Sequence, residues 1–329
     1  MAFVNREGMG MIHCAVLDDY QRAASGFADW HSLAGRVEVR FLHDRLPDED
    51  AVVAAVGDCE VLVAMRERTP FTRSLLERLP KLKLLVTTGP RNAAIDLKAT
   101  RDLGIKVCGT GGFGPGTAEL TWALILGFAR SIHLENANMR RGVPWQTTVG
   151  MDIHGRTLGV LGLGKLGGQV AAIGRAFGMK VIAWSQNLTA EACAAAGVEH
   201  AGSLDRLMAE SDVLTIHTIL SQRTRGIIGD AQLRLMKPTA LLVNTSRGPI
   251  VNEAALLSAL REKRIRGAAL DVFDVEPLPV DHPLRTLDNV LITPHLGYVS
   301  EASYRIYFND VVADIAAWLD GKPLREISL

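Results

Sequence analysis

Short apolar runs followed by segments of helical pattern recur along nearly the whole chain, and that alternation admits one broad architecture. Ile12–Asp18, Val37–Leu42, Glu60–Ala64, Leu82–Thr87 and Ile105–Cys108 read as strands, with helices predicted between them at Asp48–Val56, Phe71–Leu79 and Asp96–Leu103. A second series runs through Thr157–Leu161, Val181–Trp184, Val213–His217, Ala240–Asn244, Ala268–Val272 and Val290–Thr293. Continuous apolar strands separated by helix-length segments belong to parallel sheets covered on both faces. Two such series predict two doubly wound α/β domains. Between them, GTGGFGPG at 109–116 places five glycines in eight residues, a composition that favours neither helix nor strand. It is a tether, or a hinge beside a cleft. One long helix is predicted from Thr117 to about Met139, ended by Arg141-Gly142 and Pro144, and a final one over Glu301–Leu319.

Composition excludes several classes of function. The 329 residues hold 36 Lys plus Arg against 36 Asp plus Glu, a net charge of zero, without the basic footprint of a nucleic-acid binder. No apolar run reaches the roughly 18 residues that span a bilayer. The best stretch, Leu120–Ala129, is short and carries Trp122. Met1–Gly10 lacks the apolar core of a secretory signal and reads as a disordered extension. The four cysteines, Cys14, Cys59, Cys108 and Cys193, form no paired motif and read as small core residues. The expected location is the cytoplasm.

Thr157–Leu161 runs directly into Gly162-Leu163-Gly164-Lys165-Leu166-Gly167, and a helical pattern from Gln169 to Phe177 follows. A strand, GxGxxG and a helix in that order form a dinucleotide site. Gly162 permits the tight turn, Gly164 lets backbone approach a pyrophosphate, and Gly167 lets helix pack on strand. The helix N-terminus offers free N–H groups to the phosphates. The next strand should end in an acid if it is to hold the adenosine ribose of NAD. Instead the chain reads Trp184-Ser185-Gln186-Asn187, with neither an acid to repel a 2′-phosphate nor an arginine to welcome one. The cofactor is NAD or NADP, with NAD slightly favoured.

Three further motifs each follow an apolar strand: Asn244-Thr245-Ser246-Arg247-Gly248, Asp271 to Leu278 (DVFDVEPL), and Thr293-Pro294-His295-Leu296-Gly297. Ligands of open α/β sheets bind beyond the carboxyl ends of strands, so Arg247, Glu276 and His295 are expected to meet there. With Met65-Arg66-Glu67-Arg68-Thr69-Pro70, Thr87-Thr88-Gly89, Gly116-Thr117-Ala118-Glu119-Leu120 and the glycine loop, these motifs resemble the D-isomer-specific 2-hydroxyacid dehydrogenase family from about Ile12 onward. The resemblance implies a Rossmann nucleotide domain at 115–299 inserted in a smaller flavodoxin-like substrate domain at 1–114 plus 300–329. It implies a catalytic triad of Arg247, Glu276 and His295. It assigns cofactor contacts to Thr117, Lys165, Leu166, His217, Thr218, Thr245, Ser246 and Asp271, with Ser185 at the family's usual acid position. A nicotinamide carboxamide is the expected partner of Asp271. Proteins resembling this one are commonly homodimers joined through the nucleotide domains, with Thr117–Met139 and the segment around Trp145 at the interface.

Reducing a 2-keto acid needs a cation for the carboxylate, an acid near the carbonyl oxygen and a hydride. Arg247 offers a planar fork matched to a carboxylate, and histidine alone among the three exchanges protons near neutrality. Glu276 would fix the tautomer of His295 and favour its charged form. Backbone N–H groups of the Thr87–Gly89 turn, at Thr88 and Gly89, are expected on the other carboxylate oxygen, and Arg66 on a substrate tail or at the surface. Glyoxylate, hydroxypyruvate, a phosphoglycerate-derived acid or a bulkier keto acid all suit this reading. A different class, NAD-responsive corepressors that resemble the family, calls for long polar tails that this chain lacks. A formate dehydrogenase would carry Gln in place of Glu276, and the length leaves no room for a regulatory domain after the last helix.

Overall fold

A computed structural model describes residues 10–328, and the extension read at Met1–Gly10 lies, Gly10 apart, outside the described residues. The chain divides into two compact units, Met1–Phe113 with Ser300–Leu329, and Gly114–Val299. The second is thus inserted into the first.

The first unit holds strands β1 (Ile12–Val16), β2 (Val37–Phe41), β3 (Val61–Ala64), β4 (Leu84–Thr87) and β5 (Lys106–Gly109). All pair in parallel, in the order β2-β1-β3-β4-β5, the flavodoxin-like arrangement. Every residue of β3 and β4 is buried, as the unbroken apolar runs require of strands covered on both faces. Its helices begin at side-chain caps: Asp48, Thr72 and Asp96 accept the amides of Ala51, Leu75 and Ala99, which satisfies donors that a first turn leaves open. The Glu301–Leu319 helix runs over the predicted residues and buries Phe308, Val311 and Ile315. Beyond it the chain returns to the sheet, where Gly109 N donates to Arg325 O at 3.1 Å and Ile327 N to Val107 O at 2.8 Å. Arg325 also meets the fully buried Asp314 of that helix, Nη2 to Oδ1, at 3.1 Å.

The second unit adds β6 (Thr157–Leu161), β7 (Lys180–Trp184), β8 (Glu199–His200), β9 (Val213–Ile216), β10 (Leu241–Asn244), β11 (Gly267–Leu270) and β12 (Val290–Ile292). Their order, β12-β11-β10-β9-β6-β7-β8, is the doubly wound dinucleotide fold with one further strand. Alternate residues of one strand feed two cores. Leu214 and Leu242 point into one cluster, Val213, Leu241 and Val243 into the other, as period-2 geometry dictates. The two-residue β8 has no apolar pattern and was not among the predicted strands.

The single helix predicted over Thr117–Met139 is two, Pro115–Ala129 and Ile132–Arg140. Ser131 turns left-handed, with φ +52°. The Ala129 carbonyl, which would continue the ladder, accepts Met151 N at 2.6 Å instead. A tertiary contact therefore overrides a helix-permissive sequence. Among the described residues no helix is long and apolar enough to cross a membrane. All four cysteines are buried and unpaired.

Candidate active site

The glycine loop after β6 has the shape a pyrophosphate needs. Gly162 takes φ +98°, and a β-carbon there would stand 2.8 Å from Thr218 N. One at Gly167 would run into the Gly162 carbonyl oxygen, so helix and strand are in direct backbone contact. Gly164 differs: it caps the Lys165–Ala176 helix, is exposed, and has nothing within 4 Å of where a β-carbon would be. As the N-cap it adjoins the first turn, at Lys165 and Leu166, where free N–H groups favour an anion. The residues present therefore fit a dinucleotide. Ser185 follows the end of β7 half-buried, its carbonyl accepting Leu188 N at 3.1 Å.

The three candidate catalytic residues all sit in this unit, beyond the carboxyl ends of the neighbouring strands β10, β11 and β12. His295 Nδ1 lies 2.6 Å from Glu276 Oε2. The carboxylate accepts, so Nδ1 carries the proton and Nε2 is left for chemistry. Glu276 Oε1 accepts Phe273 N at 2.9 Å. Burial pushes the Glu276 carboxyl up, but the His295 hydrogen bond and charge, the Phe273 amide and Arg247 outweigh it and hold it below the usual range. His295 has φ +54°, and its ring meets Tyr298 edge-on at 5.3 Å. Arg247 is extended (φ −147°, ψ 137°), with Nη1 donating to Ser246 O at 2.8 Å. The resulting group holds a cation, a proton carrier and a carboxylate that orients it, which suits proton transfer to an oxygen beside an anionic group.

Gly248 explains how two of these loops approach each other. A β-carbon at that position would overlap the Phe273 carbonyl and lie 2.6 Å from Asp274 N. The segment after Arg247 thus packs directly on the one that leads to Glu276. The sequence marked Gly248 only as part of a motif, and a glycine placed between an arginine and a proline was the available signal.

Several expected ligand contacts are occupied within the protein. Asp271, predicted to meet a nicotinamide carboxamide, is completely buried. Its Oδ1 accepts the Thr293 hydroxyl at 2.6 Å and Leu296 N at 2.7 Å, and its Oδ2 accepts Gly297 N at 2.9 Å. It holds the His295 loop, and burial raises its pKa against those hydrogen bonds. The Thr117 hydroxyl donates to Gly297 O at 2.8 Å, Thr245 Oγ1 lies 2.9 Å from Thr121 Oγ1, and the Ser246 hydroxyl donates to Thr218 O at 2.6 Å. The His217 ring has Nε2 2.9 Å from Thr215 Oγ1, and burial pushes its pKa down to about 4, so it is neutral at ordinary pH.

In the first unit the Thr88 amide donates to Ala64 O at 3.0 Å and the Gly89 amide to Thr110 Oγ1 at 2.6 Å. Both amides have acceptors within this unit, Ala64 at the end of β3 and Thr110 just past β5. Arg66 has φ +53°, lies across Gly89, and donates from Nη1 to Thr88 O at 3.0 Å, with Glu67 3.6 Å from Nη2.

A sequence profile of the D-isomer specific 2-hydroxyacid dehydrogenase, NAD binding domain, matches residues 122–297. The chain is 43% identical over 257 residues to a glyoxylate reductase of Aeropyrum pernix, covering 75% of this chain and 76% of that protein. It is 38% identical over 277 residues to a D-3-phosphoglycerate dehydrogenase of Methanocaldococcus jannaschii. That match covers 83% of this chain but 52% of the relative, so the chain spans about half the length of that protein. In three dimensions it is similar to a phosphoglycerate oxidoreductase from Vibrio cholerae, with TM-score 0.91 and 37% identity, over 94% of this chain and 100% of that one. With its loops, its strand order and more than half of its length matching in this way, the chain belongs to the D-isomer-specific 2-hydroxyacid dehydrogenases.

Proposed function

We propose that the protein is an NAD(P)-dependent oxidoreductase that interconverts a small D-2-hydroxy acid and its 2-keto acid. The observation that supports this most is the Glu276–His295 pair, 2.6 Å apart, beside Arg247 on adjacent strand ends of a nucleotide-binding unit. When bound, the cofactor supplies or takes up the hydride. Gly162, Gly164 and Gly167, with Lys165 and Leu166, hold its pyrophosphate, and Ser185 meets the ribose without a charge that would reject a 2′-phosphate. Thr117, His217, Thr218, Thr245 and Ser246 shape the pocket for its nicotinamide half. Arg247 grips the substrate carboxylate through its planar fork. His295 Nε2 gives its proton to the carbonyl oxygen during reduction, and the neutral ring takes the hydroxyl proton in oxidation. Glu276 keeps Nδ1 protonated and balances the ring's charge. In the first unit, Arg66, Thr88 and Gly89 lie beyond the carboxyl ends of β3 and β4 and are our candidates for substrate contacts.

The substrate reading is a glyoxylate, hydroxypyruvate or phosphoglycerate-type acid. Its test is a panel of 2-keto acids assayed with NADH and with NADPH by coenzyme absorbance. Turnover of at least one acid is expected, and none with either coenzyme refutes the function.

We further propose a homodimer joined through the nucleotide units. Ile132, Met139, Trp145 and Val149, in one stretch of sequence, are 56%, 57%, 67% and 89% exposed, which supports an interface in this region, and C2 pairing is the commonest arrangement for enzymes. A monomeric mass by light scattering at micromolar concentration refutes it. Buried, unpaired cysteines suit a reducing compartment, and we assign the protein to the cytoplasm. Fractionation of cells producing it tests that assignment.

A further inference from the structure

β10 ends in an asparagine, Asn244, which is buried at 1% exposure. Both ends of its amide are committed to the next turn of chain. Oδ1 accepts Ser246 N at 3.0 Å, and Nδ2 donates to Arg247 O at 2.9 Å. Ser246 is also the residue whose carbonyl accepts Arg247 Nη1 at 2.8 Å. One buried amide therefore holds the two peptide units that flank the one on which the guanidinium rests.

We infer that Asn244 is a positioning residue for Arg247, setting the direction in which the guanidinium fork is presented to the substrate carboxylate. This rests on the carboxylate role of Arg247 proposed above. An arginine side chain loses rotamer freedom when fixed, so a backbone already held in place matters to its grip. The adjoining residues are tied to other elements, Thr245 to Thr121 and Ser246 to Thr218. At the arginine itself the Asn244 amide gives the carbonyl its shorter bond, 2.9 Å, beside one of 3.3 Å from Ile250 N. The residue type follows from the partners. One is a donor and the other an acceptor, and asparagine offers the matching acceptor and donor at that reach. Aspartate keeps the bond to Ser246 N but turns an acceptor toward the Arg247 carbonyl. Alanine removes the bond to Ser246 N and leaves the Arg247 carbonyl with only the longer bond from Ile250 N, at 3.3 Å, and a lost partner is costly for a buried polar atom.

The test uses the full-length enzyme and the best substrate of the keto-acid panel, with four variants: N244A, N244D, R247K and N244A combined with R247K. Steady-state kinetics are read beside the affinity for reduced coenzyme, from its fluorescence, and the thermal transition. N244A and N244D are each expected to raise KM for the keto acid roughly tenfold or more, the order of one lost buried hydrogen bond, with a smaller change in kcat. Coenzyme affinity should stay within about twofold. In the R247K background N244A should add less than about twofold to the loss in kcat/KM, because coupled residues fail to add. Losses that multiply in the double variant, a fall in coenzyme affinity that parallels the fall in kcat/KM, or an N244D enzyme like the parent would each overturn the inference. If N244A does not fold, N244D, which retains the Ser246 bond, decides it. An R247K enzyme as active as the parent would instead overturn the carboxylate role of Arg247, and this inference with it.

Discussion

Glu276 Oε2 sits 2.6 Å from His295 Nδ1, while the other oxygen of the same carboxylate is held by the Phe273 amide at 2.9 Å. The carboxylate is thereby anchored to its own loop before it reaches the ring, and the direction of the imidazole is set by main chain rather than by a free side chain. Replacing Glu276 with Gln keeps the shape and removes the charge that favours the protonated ring. The alkaline limb of the reductive kcat/KM profile should then move to lower pH. His295→Ala should lose roughly two to four orders of magnitude in turnover with coenzyme binding intact. A profile unmoved in the Gln variant would show that another group orients the histidine.

The open space at Gly164 separates a ligand effect from a folding effect. Nothing lies within 4 Å of a β-carbon there, so Gly164→Val is expected to fold with a thermal transition close to the parent's. Its branched side chain fills the approach to the helix N-terminus, and coenzyme affinity should fall by more than about tenfold. Fluorescence titration checks it. Unchanged affinity in a folded variant would remove this loop from the cofactor site.

Gly248 behaves in the opposite way. The Phe273 carbonyl occupies the place of its missing β-carbon, so Gly248→Ala must push apart the loops of Arg247 and Glu276. Overpacking of this kind costs about 1–3 kcal/mol. Both the denaturant midpoint and kcat/KM should fall, and a variant with normal stability and normal kinetics would show that the contact is dispensable.

The strand series, the glycine loop and the final helix were legible because each rests on a local rule: apolar runs, turn chemistry that only glycine satisfies, and helical periodicity. What escaped depends on partners far along the chain. The helix break at Ser131 follows from Met151 capturing the Ala129 carbonyl, and nothing in the local sequence announces it. The Asp271 carboxylate bonds to Thr293, Leu296 and Gly297, all 22 to 26 residues further along the chain. Asn244 went unread because its partners are backbone atoms, although an asparagine at a strand end is a common sign of side-chain bonding to the following turn.

Burial raises the Asp314 carboxyl from 3.8 to about 6, against the pull of Arg325, with Asp310 adding to the rise. The folded state therefore binds this proton more tightly than the unfolded chain does. Its contribution to stability is fully present below about pH 4, is lost as pH rises toward 6, and is flat above that. A shift of this size corresponds to about 3 kcal/mol. Asp314→Asn should remove the decline, so that thermal transitions of variant and parent diverge between pH 4 and 6 in favour of the variant. Parallel curves across that range would refute the assignment.

Insertion of one unit within the other has a consequence for how the protein is made. The first sheet is complete once Gly109 has been synthesised, but the Glu301–Leu319 helix and the residues that join the edge of β5 come only after everything from Gly114 to Val299. Domains emerging from a ribosome generally fold in order of synthesis. Here the earlier one must wait, with the surface later covered by Phe308, Val311 and Ile315 exposed, while the later one can already close around its seven strands. Until Glu301–Leu319 is made, the N-terminal sheet keeps that apolar face uncovered, and there a chaperone would be needed.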